Sequence, residues 1–288
     1  MPNTTLTAPA PKPLTLKRRI ELAFRKVGLE PLIYYYVFAK DRHKFKAANR
    51  AFEASQPELK LPPARLRFDV IACSQAEYYV NTGKTMALQM QEVMKKWVTT
   101  DATVVCEWGC GPGRILFPLA ALDTGKKTKF IGTDMYPPSI RWAQSVQDGH
   151  TSFHLNKMNP PLPIPDNTVD FVYAVSVFTH LSEGLTRVWL KEIMRILKPG
   201  GVFWFSAHSG QKHLRDLDSA QLAALNHGEF VAIDSKHDGS QMYTGIHCPQ
   251  LMKQLIASAG AELLEYQPEG NQKYQDAWIV RKSNSSGR

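Results

Sequence analysis

A short run of glycines and a later aspartate form the most chemically suggestive pattern in the sequence. Gly109, Gly111 and Gly113 alternate with other residues, and Asp134 stands at the end of the next predicted strand. Glycines let backbone N–H groups approach a ligand that a Cβ atom would repel, and the start of a following helix favours a negative group. A carboxylate at position 134 can accept hydrogen bonds from both hydroxyls of a ribose. The pattern therefore predicts a site for a nucleoside-containing cofactor.

The elements around this pattern alternate between strands and helices. Strands are predicted at 103–107, 129–133, 151–155, 169–174, 202–206, 261–267 and 276–281, and helices at 114–122, 137–146, 185–197 and 249–259. This alternation predicts an α/β fold, a Rossmann-like, seven-stranded and mostly parallel sheet with helices on both faces. Because no helix separates the last two strands, we expect them to form an antiparallel hairpin at the sheet edge.

The residues flanking the glycines favour one kind of cofactor. A dinucleotide site expects G-x-G-x-x-G, but Arg114 occupies the sixth position counted from Gly109. The upstream Glu107 would repel phosphates, whereas it could help to hold an ammonium group. S-adenosylmethionine (SAM) carries an ammonium, a carboxylate and a ribose but no phosphate. The charges therefore favour SAM over NAD.

Several segments in order resemble the motifs of class I SAM-dependent methyltransferases. They are Glu107–Gly113, Asp134, Pro165–Asp170 and Leu197–Gly201. The resemblance covers about residues 100–282 and implies methyl transfer from SAM. Four further segments look similar to bacterial small-molecule methyltransferases, many of them found near polysaccharide or natural-product genes; these segments are 62–67, 159–163, 176–181 and 275–276. This narrower likeness implies methylation of an oxygen on a sugar or natural product.

The resemblance also implies roles for individual residues. The methionine part of SAM would be surrounded by Glu107, Gly109, Cys110, Gly111 and Gly113. Asp134 would bind the ribose, Met135 would pack against the adenine, Asn156 and Lys157 would lie at the adenine edge, and Ser176 and Val177 would border the methyl group. The sequence departs from the family at Met158-Asn159, where related proteins often have an acidic residue that contacts the adenine amino group.

A general base is needed only if the methyl acceptor is a hydroxyl or a protonated amine. The candidates in loops at the carboxyl edge of the predicted sheet are His180, His208, His247 and Asp276. His180 follows the fourth strand, beside the expected position of the methyl group. Each of these side chains could instead have a structural role.

The segment Asn159-Pro160-Pro161 is similar to a motif of nucleic-acid amino-methyltransferases. In those enzymes the motif follows the fourth strand and an aromatic residue comes next. Here it follows the third strand and precedes Leu162, so we interpret residues 159–165 as a proline-stiffened loop.

The net charge of +9 belongs to the N-terminal part of the chain, since residues 11–50 contain 11 basic and 3 acidic residues. We expect a disordered tail at 1–15, a basic helical extension at 16–98, the methyltransferase domain at 99–282 and a tail at 283–288. Within the extension, helices are predicted at 16–29, ended by Pro31, at 41–54, and at 75–97 with an interruption near Gly83. Tyr78, Tyr79 and Gly83 could cover the cofactor.

Three interpretations of the basic segment remain open: a cap on the domain, a surface that contacts anionic membranes through residues 16–50, and, least favoured, a nucleic-acid surface.

The four cysteines have no zinc-like spacing, so no metal is predicted. The expected location is the cytoplasm, with peripheral contact to the inner membrane if the second interpretation holds. The functional alternatives are an RNA or protein methyltransferase and a non-catalytic SAM-binding scaffold. The oligomeric state is not predicted.

Overall fold

A computed structural model describes residues 30–98, 104–125, 127–208, 213–214, 217–233, 238–239, 243–271 and 274–284. The helices are α1 (Glu30–Ser55), α2 (Ala64–Ile71), α3 (Ala76–Trp97), α4 (Leu116–Ala121), α5 (Pro137–Val146), α6 (Glu183–Ile196), α7 (Ser219–Asn226) and α8 (Pro249–Ser258). The strands are β1 (Val104–Trp108), β2 (Lys129–Asp134), β3 (Thr151–Leu155), β4 (Val169–Ala174), β5 (Leu197–Ala207), β6 (Val231–Ile233), β7 (Thr244–Ile246), β8 (Ala261–Asn271) and β9 (Gln275–Lys282).

Seven strands form one sheet in the order β3-β2-β1-β4-β5-β9-β8. The first five are parallel to their neighbours, while β9 runs antiparallel to both β5 and β8. The predicted fold class, with its C-terminal hairpin, is therefore confirmed. Strands β6 and β7 form a separate antiparallel pair in the segment between β5 and α8, where no strand was predicted.

The sheet is covered on both faces, as its central strand requires. All six residues of β4 are buried, and their side chains divide between two apolar clusters, one on each face. An almost wholly apolar strand is typical of a parallel sheet buried on both sides. The order of strands places the carboxyl ends of β1, β2, β4 and β5 along one edge, where ligands bind in open α/β sheets.

Helix α3 is continuous, so the predicted interruption near Gly83 is wrong. Gly83 is buried in the helix, and a Cβ atom there would overlap the carbonyl oxygen of Arg114, directly after the glycine run. A glycine inside a helix is tolerated when another segment must approach closely. Gly83 thus allows α3 to pack against the loop that follows β1.

The N-terminal region also differs from its prediction. One helix, α1, spans Glu30–Ser55 and includes Pro31 near the start of its described part, whereas only a helix at 41–54 was expected in this stretch. Proline is compatible with the first turn because the N–H groups there have no partner within the helix. The predicted tail at 1–15, the helix at 16–29 and residues 285–288 lie outside the described residues. Strand β5 also begins earlier than predicted, at Leu197, and includes Pro199–Gly201.

Candidate functional site

The loop after β1 brings backbone N–H groups to the edge of the sheet. Gly109 and Gly111 have φ angles of 79° and 53°, which glycine adopts readily and other residues rarely do. A Cβ atom at Gly109 would also overlap a methyl group of Val177. The nitrogen of Gly109 donates to the Thr133 carbonyl at 2.8 Å, so the loop is fixed to the end of β2.

Asp134 is the last residue of β2 and lies beside the loop that follows β1. Its carboxylate accepts a hydrogen bond from the Gly111 nitrogen at 2.7 Å and another from the Tyr136 nitrogen at 2.7 Å. Burial raises the pKa of Asp134, while these backbone hydrogen bonds act in the opposite direction. The sequence spacing thus translates into direct contact between the carboxylate and the glycine loop.

Glu107 lies beneath the loop, not in the cleft. Its carboxylate is 2% exposed and accepts a hydrogen bond from the Tyr173 hydroxyl at 3.0 Å. Burial raises its pKa to about 8, although the Tyr173 hydrogen bond and the nearby Arg114 charge oppose this shift. Cys110 is also buried, and its Sγ faces the Gly111 carbonyl oxygen. Glu107 and Cys110 can therefore affect a ligand through the field and shape of the loop, without touching it.

A cleft opens above the glycine loop at the carboxyl edge of the sheet. Its lining includes Gly109, Gly111, Asp134, Met135, Asn156, Lys157, Ser176, Val177 and His180, all of which are sequence candidates. It also includes residues that the sequence did not suggest, among them Asp69, Val70, Trp108, Trp189 and Gly239. The described residues contain no cluster of three or more His, Cys, Asp or Glu side chains able to hold a metal ion.

One end of the cleft offers an acceptor to a ligand. Asn156 is 9% exposed, its amide nitrogen donates to the Lys157 carbonyl at 2.8 Å, and its Oδ1 has no partner among the described residues. A buried oxygen without a donor is costly unless a ligand or water supplies one. Met135, 45% exposed at the same end, provides an apolar surface for a flat ring.

The opposite end is bordered by a backbone held in an uncommon conformation. Ser176 has a φ angle of 61°. Its backbone nitrogen donates a hydrogen bond to Ser206 Oγ at 2.9 Å, which holds the backbone in this conformation. The Oε1 atom of the buried Gln275 accepts hydrogen bonds from Ser176 Oγ, Ser206 Oγ and Asn271 Nδ2 at 3.0, 2.7 and 3.0 Å. Such a conformation persists only where its surroundings fix it. Gln275 was not a sequence candidate by itself, because nothing local relates it to residue 176.

His180 is the histidine of the described residues that lines the cleft. It lies in the short 3₁₀ turn Phe178–His180 after β4, and its Nδ1 is 2.9 Å from the Tyr243 carbonyl oxygen. A carbonyl can only accept, so Nδ1 carries the hydrogen and Nε2 is left as the unprotonated nitrogen. Burial lowers the pKa of His180, which keeps the ring neutral.

The other three base candidates lie away from the cleft lining. His247 is 1% exposed, its Nε2 is 3.0 Å from Thr186 Oγ1, and burial lowers its pKa to about 3. Asp276 is buried, accepting hydrogen bonds from the Tyr266 hydroxyl and the Glu269 nitrogen. His208 is buried where β5 meets the end of β7. Their positions suit structural roles.

Two segments cover the cleft from outside the sheet. The first is the cap, defined here as α1 and α2, which contributes Asp69 and Val70. The second contains Gly239, which packs against the side chain of Met158. Tyr78, Tyr79 and Gly83, the residues proposed from sequence as a cover, are not part of the lining. Met158, directly before the predicted loop at 159–165, also lines the cleft.

The comparisons with known proteins agree with this arrangement. Residues 106–205 match a family model described as a methyltransferase domain. A SAM-dependent methyltransferase from Methanosarcina mazei has a similar structure, with a TM-score of 0.52 and 16% identity over 67% of this chain and 98% of that chain. The putative methyltransferase of Haloferax volcanii was solved in complex with the Trm112 methyltransferase activator. It has a TM-score of 0.51 and 17% identity over 74% of this chain and 97% of that chain.

At these identities the solved structures establish a common fold, and the family match covers most of β1 to β5 and the loops between them, which supply most of the cleft lining. The residues present also fit SAM, since a glycine loop, a carboxylate and an unpartnered buried acceptor line one side of the cleft. Residues 106–205 therefore form a methyltransferase domain, on a fold shared with a SAM-dependent methyltransferase, and the cleft fits SAM as the methyl donor.

Proposed function

We propose that this enzyme transfers the methyl group of SAM to a hydroxyl oxygen of a small molecule, a sugar or another natural product, with His180 as the general base. The observation that carries the proposal is the 2.9 Å contact between His180 Nδ1 and the Tyr243 carbonyl oxygen. This contact leaves Nε2 unprotonated on a side chain that lines the cleft. A hydroxyl acceptor needs such a base.

The proposed placement of SAM follows the polar groups of the cleft. The loop at Gly109 and Gly111 would receive the methionine part, and Asp134 would accept hydrogen bonds from the ribose. Met135 and Lys157 would border the adenine, and the unpartnered Oδ1 of Asn156 would accept from its amino group. This acceptor would replace the acidic residue that the sequence lacks at 158–159.

SAM, when bound, supplies a methyl group on a positively charged sulfur, so the protein has to align the acceptor and exclude water. The backbone at Ser176 and Val177 would border the methyl group, and Ser176 is held by Gln275 and Ser206. His180 Nε2 would take the proton of the acceptor hydroxyl as the oxygen–carbon bond forms and the sulfur–methyl bond breaks, with S-adenosylhomocysteine as the leaving group.

The acceptor side of the cleft has an apolar wall. Trp108 and Trp189 stack with ring centroids 4.5 Å apart, and the indole N–H of Trp189 donates to the Met158 carbonyl. Leu181 and Val175 complete this wall. Apolar and aromatic surfaces with a few polar groups are typical of small-molecule sites. This composition supports a ring-shaped acceptor over a phosphate-rich RNA.

The test is turnover of SAM to S-adenosylhomocysteine with panels of sugar and phenolic hydroxyl compounds, compared with RNA and protein extracts. We expect a hydroxyl compound to support turnover and His180→Gln to lower kcat by roughly 10²–10⁴-fold, with the affinity for SAM unchanged. His227→Gln, an exposed histidine on the surface, is the matched control. RNase-sensitive turnover with extract alone would favour the RNA alternative, and absence of turnover with every acceptor class would favour a scaffold.

The cap also supports a proposed contact with an anionic membrane surface. Leu32, Tyr35 and Tyr36 of α1 are 60–66% exposed. Five cations follow on the same helix, and none has an ion-pair partner among the described residues; they are Lys40, Arg42, Lys44, Lys46 and Arg50. No helix of the described residues is long and apolar enough to cross a bilayer. Aromatic and basic side chains on one surface helix are typical of interfacial binding.

Point variants test this contact better than deletion of residues 1–55, because Asn49 and Asp41 of α1 also bind the backbone of Ser74, in the segment before α3. We expect the full chain to float with phosphatidylglycerol vesicles at low salt and not with phosphatidylcholine vesicles. Arg42→Gln/Lys46→Gln/Arg50→Gln should abolish flotation, whereas neutralising the exposed Lys129, Lys191 and Lys253 should not. Equal loss in both triple variants would show a general charge effect and contradict a specific surface.

A further inference from the structure

Asp238 binds the backbone directly beside the histidine that lines the cleft. Its Oδ1 accepts a hydrogen bond from the Ser182 nitrogen at 2.7 Å. The next residue, Gly239, donates its nitrogen to the His180 carbonyl oxygen at 2.7 Å. These two consecutive residues therefore hold the chain on both sides of Leu181. Asp238 was not a sequence candidate, because it is 56 residues away from Ser182 along the chain.

The imidazole of His180 makes a third contact with the same region. Its Nδ1 is 2.9 Å from the Tyr243 carbonyl oxygen. Asp238 also lies near the side chain of that tyrosine, since burial and, next, the charge of Asp238 raise the pKa of Tyr243 to about 12. Asp238 is thus close to the residue that orients the ring, and it is bonded to the backbone that carries the ring.

The backbone after His180 depends on such contacts. His180 ends the 3₁₀ turn Phe178–His180, and α6 starts only at Glu183. The two residues between them, Leu181 and Ser182, have extended backbone angles and belong to neither helix. A backbone N–H in such a link needs an acceptor from elsewhere, and Asp238 supplies it for Ser182. A carboxylate at this place is also stabilised by the positive end of the α6 dipole.

A neutral imidazole can carry its hydrogen on either nitrogen, but only one form suits a base in the cleft. The form with hydrogen on Nδ1 leaves Nε2 able to accept a proton. We propose that Asp238 is the positioning residue for His180: by holding the Ser182 nitrogen, it keeps Nδ1 on the Tyr243 carbonyl and Nε2 free for the acceptor hydroxyl. This inference rests on the proposed function of His180.

Nitrogen NMR of the full chain with isotope-labelled histidine tests the proposal without any acceptor, because protonated and unprotonated imidazole nitrogens give well-separated signals. The signals of His180 are those that disappear in His180→Gln. We expect the wild-type protein to carry the hydrogen on Nδ1. Asp238→Ala should lose this pattern and give exchange between the two neutral forms. Asp238→Asn keeps an oxygen acceptor for the Ser182 nitrogen and should restore the wild-type pattern.

A second variant removes the same hydrogen bond from the donor side. Ser182 has a φ angle of −67°, and Leu181 before it has a ψ angle of 143°, so both residues have backbone angles that proline at 182 allows. Ser182→Pro deletes the N–H group and leaves Asp238 in place. It should cause the same loss of the Nδ1 pattern as Asp238→Ala. Calorimetric binding of SAM shows that each variant is folded.

The matched control is Asp123→Ala. Asp123 is also half-buried and accepts a hydrogen bond from a loop nitrogen, that of Thr128 at 2.8 Å, but it precedes β2 at the amino ends of the parallel strands. The His180 signals should stay as in the wild-type protein. If either folded variant, Asp238→Ala or Ser182→Pro, also keeps them, Asp238 does not position the ring and the proposal is wrong.

Turnover distinguishes this inference from the proposed function. With an acceptor from the turnover screen, Asp238→Ala should lower kcat by roughly 10- to 100-fold, and it should have no further effect in the His180→Gln background. Equal losses in both backgrounds would show a structural role for Asp238 and overturn the proposal. The proposed function itself fails differently, because the wild-type protein would then carry the hydrogen on Nε2, or His180→Gln alone would leave kcat unchanged.

Discussion

The proposed cofactor half and the proposed acceptor half of the cleft are built in different ways. The cofactor half comes from neighbouring parts of the chain, since β1, the glycine loop and β2 lie between residues 104 and 134. The acceptor half collects His180, Tyr243, Gly239 and Gln275 from segments far apart in sequence. Binding by backbone groups and one carboxylate suits a cofactor shared by many enzymes. Side chains gathered from distant segments suit an acceptor that differs from one enzyme to the next.

The two halves also contain buried titratable groups of opposite behaviour. Burial raises the pKa of Glu107 beneath the glycine loop to about 8, and lowers the pKa of His247 near the acceptor side to about 3. Both groups are held neutral in the folded protein near pH 6. The comparison of the halves therefore extends to how each half responds to pH.

The largest expected effect concerns the backbone of the cofactor half. Gly109→Ala should lower the affinity for SAM by about 100-fold or more, because an alanine at this φ costs roughly 1–3 kcal/mol and its Cβ would overlap Val177. Gly260→Ala is the matched control, since Gly260 has a φ of 77° with nothing within 4 Å of a Cβ. It should lower stability slightly and leave SAM binding unchanged. Similar losses of SAM affinity in both variants would show that the close contact is unimportant.

The second effect concerns the carboxylate of the same half. Asp134→Ala should weaken SAM binding by roughly 1–3 kcal/mol, the cost of losing hydrogen bonds to a charged group. This is about 5- to 150-fold in the dissociation constant measured by calorimetry. An unchanged dissociation constant would show that the ribose assignment is wrong.

The third effect concerns the backbone of the acceptor half. Gln275→Leu should lower the free energy of unfolding by about 1–3 kcal/mol, because it leaves the buried donors of Ser176, Ser206 and Asn271 without their shared acceptor. Gln275→Glu keeps an acceptor oxygen and should recover part of the loss. Urea unfolding at neutral pH measures both variants. If leucine is tolerated without loss, Gln275 does not fix the conformation of Ser176.

The smallest expected effects are changes in how the free energy of unfolding varies with pH. The raised pKa of Glu107 stabilises the folded state fully below about pH 4.5, and this stabilisation is lost as the pH rises to about 8. Between pH 5.5 and 7 the free energy of unfolding should therefore fall relative to Glu107→Gln by up to about 1.4 kcal/mol per pH unit, with a shallower slope near pH 8. Parallel curves for the two proteins across this range would contradict the neutral state of Glu107.

For His247 the free energy of unfolding should change with pH in the opposite direction. Its lowered pKa means that its contribution to stability is complete above about pH 6.5 and is lost as the pH falls towards 3. Urea unfolding between pH 5 and 6.5 should show the wild-type protein losing stability relative to His247→Gln as the pH falls. A constant difference between the two proteins would show that the buried imidazole becomes protonated without penalty.

The prediction from sequence was accurate where local chemistry is decisive. The seven strands, the glycine loop and the position of Asp134 follow from residue spacing, because each depends on neighbours within a few tens of residues. Gly83 was misinterpreted because a glycine that interrupts a helix cannot be told in sequence from one that lets another segment approach the helix. The close approach of the Arg114 carbonyl oxygen to Gly83 is visible only in the folded structure.

The sequence by itself determined the parallel sheet and the cofactor half of the cleft, since hydrophobic periodicity and the backbone demands of a glycine loop are properties of short segments. Only the tertiary structure decided that His180, and not His247 or Asp276, reaches the cleft, and that Asp69 faces it from the cap. The reason is physical: whether a side chain is buried in the core or directed into a cavity depends on contacts between distant segments, and those contacts leave no periodic signal in the chain.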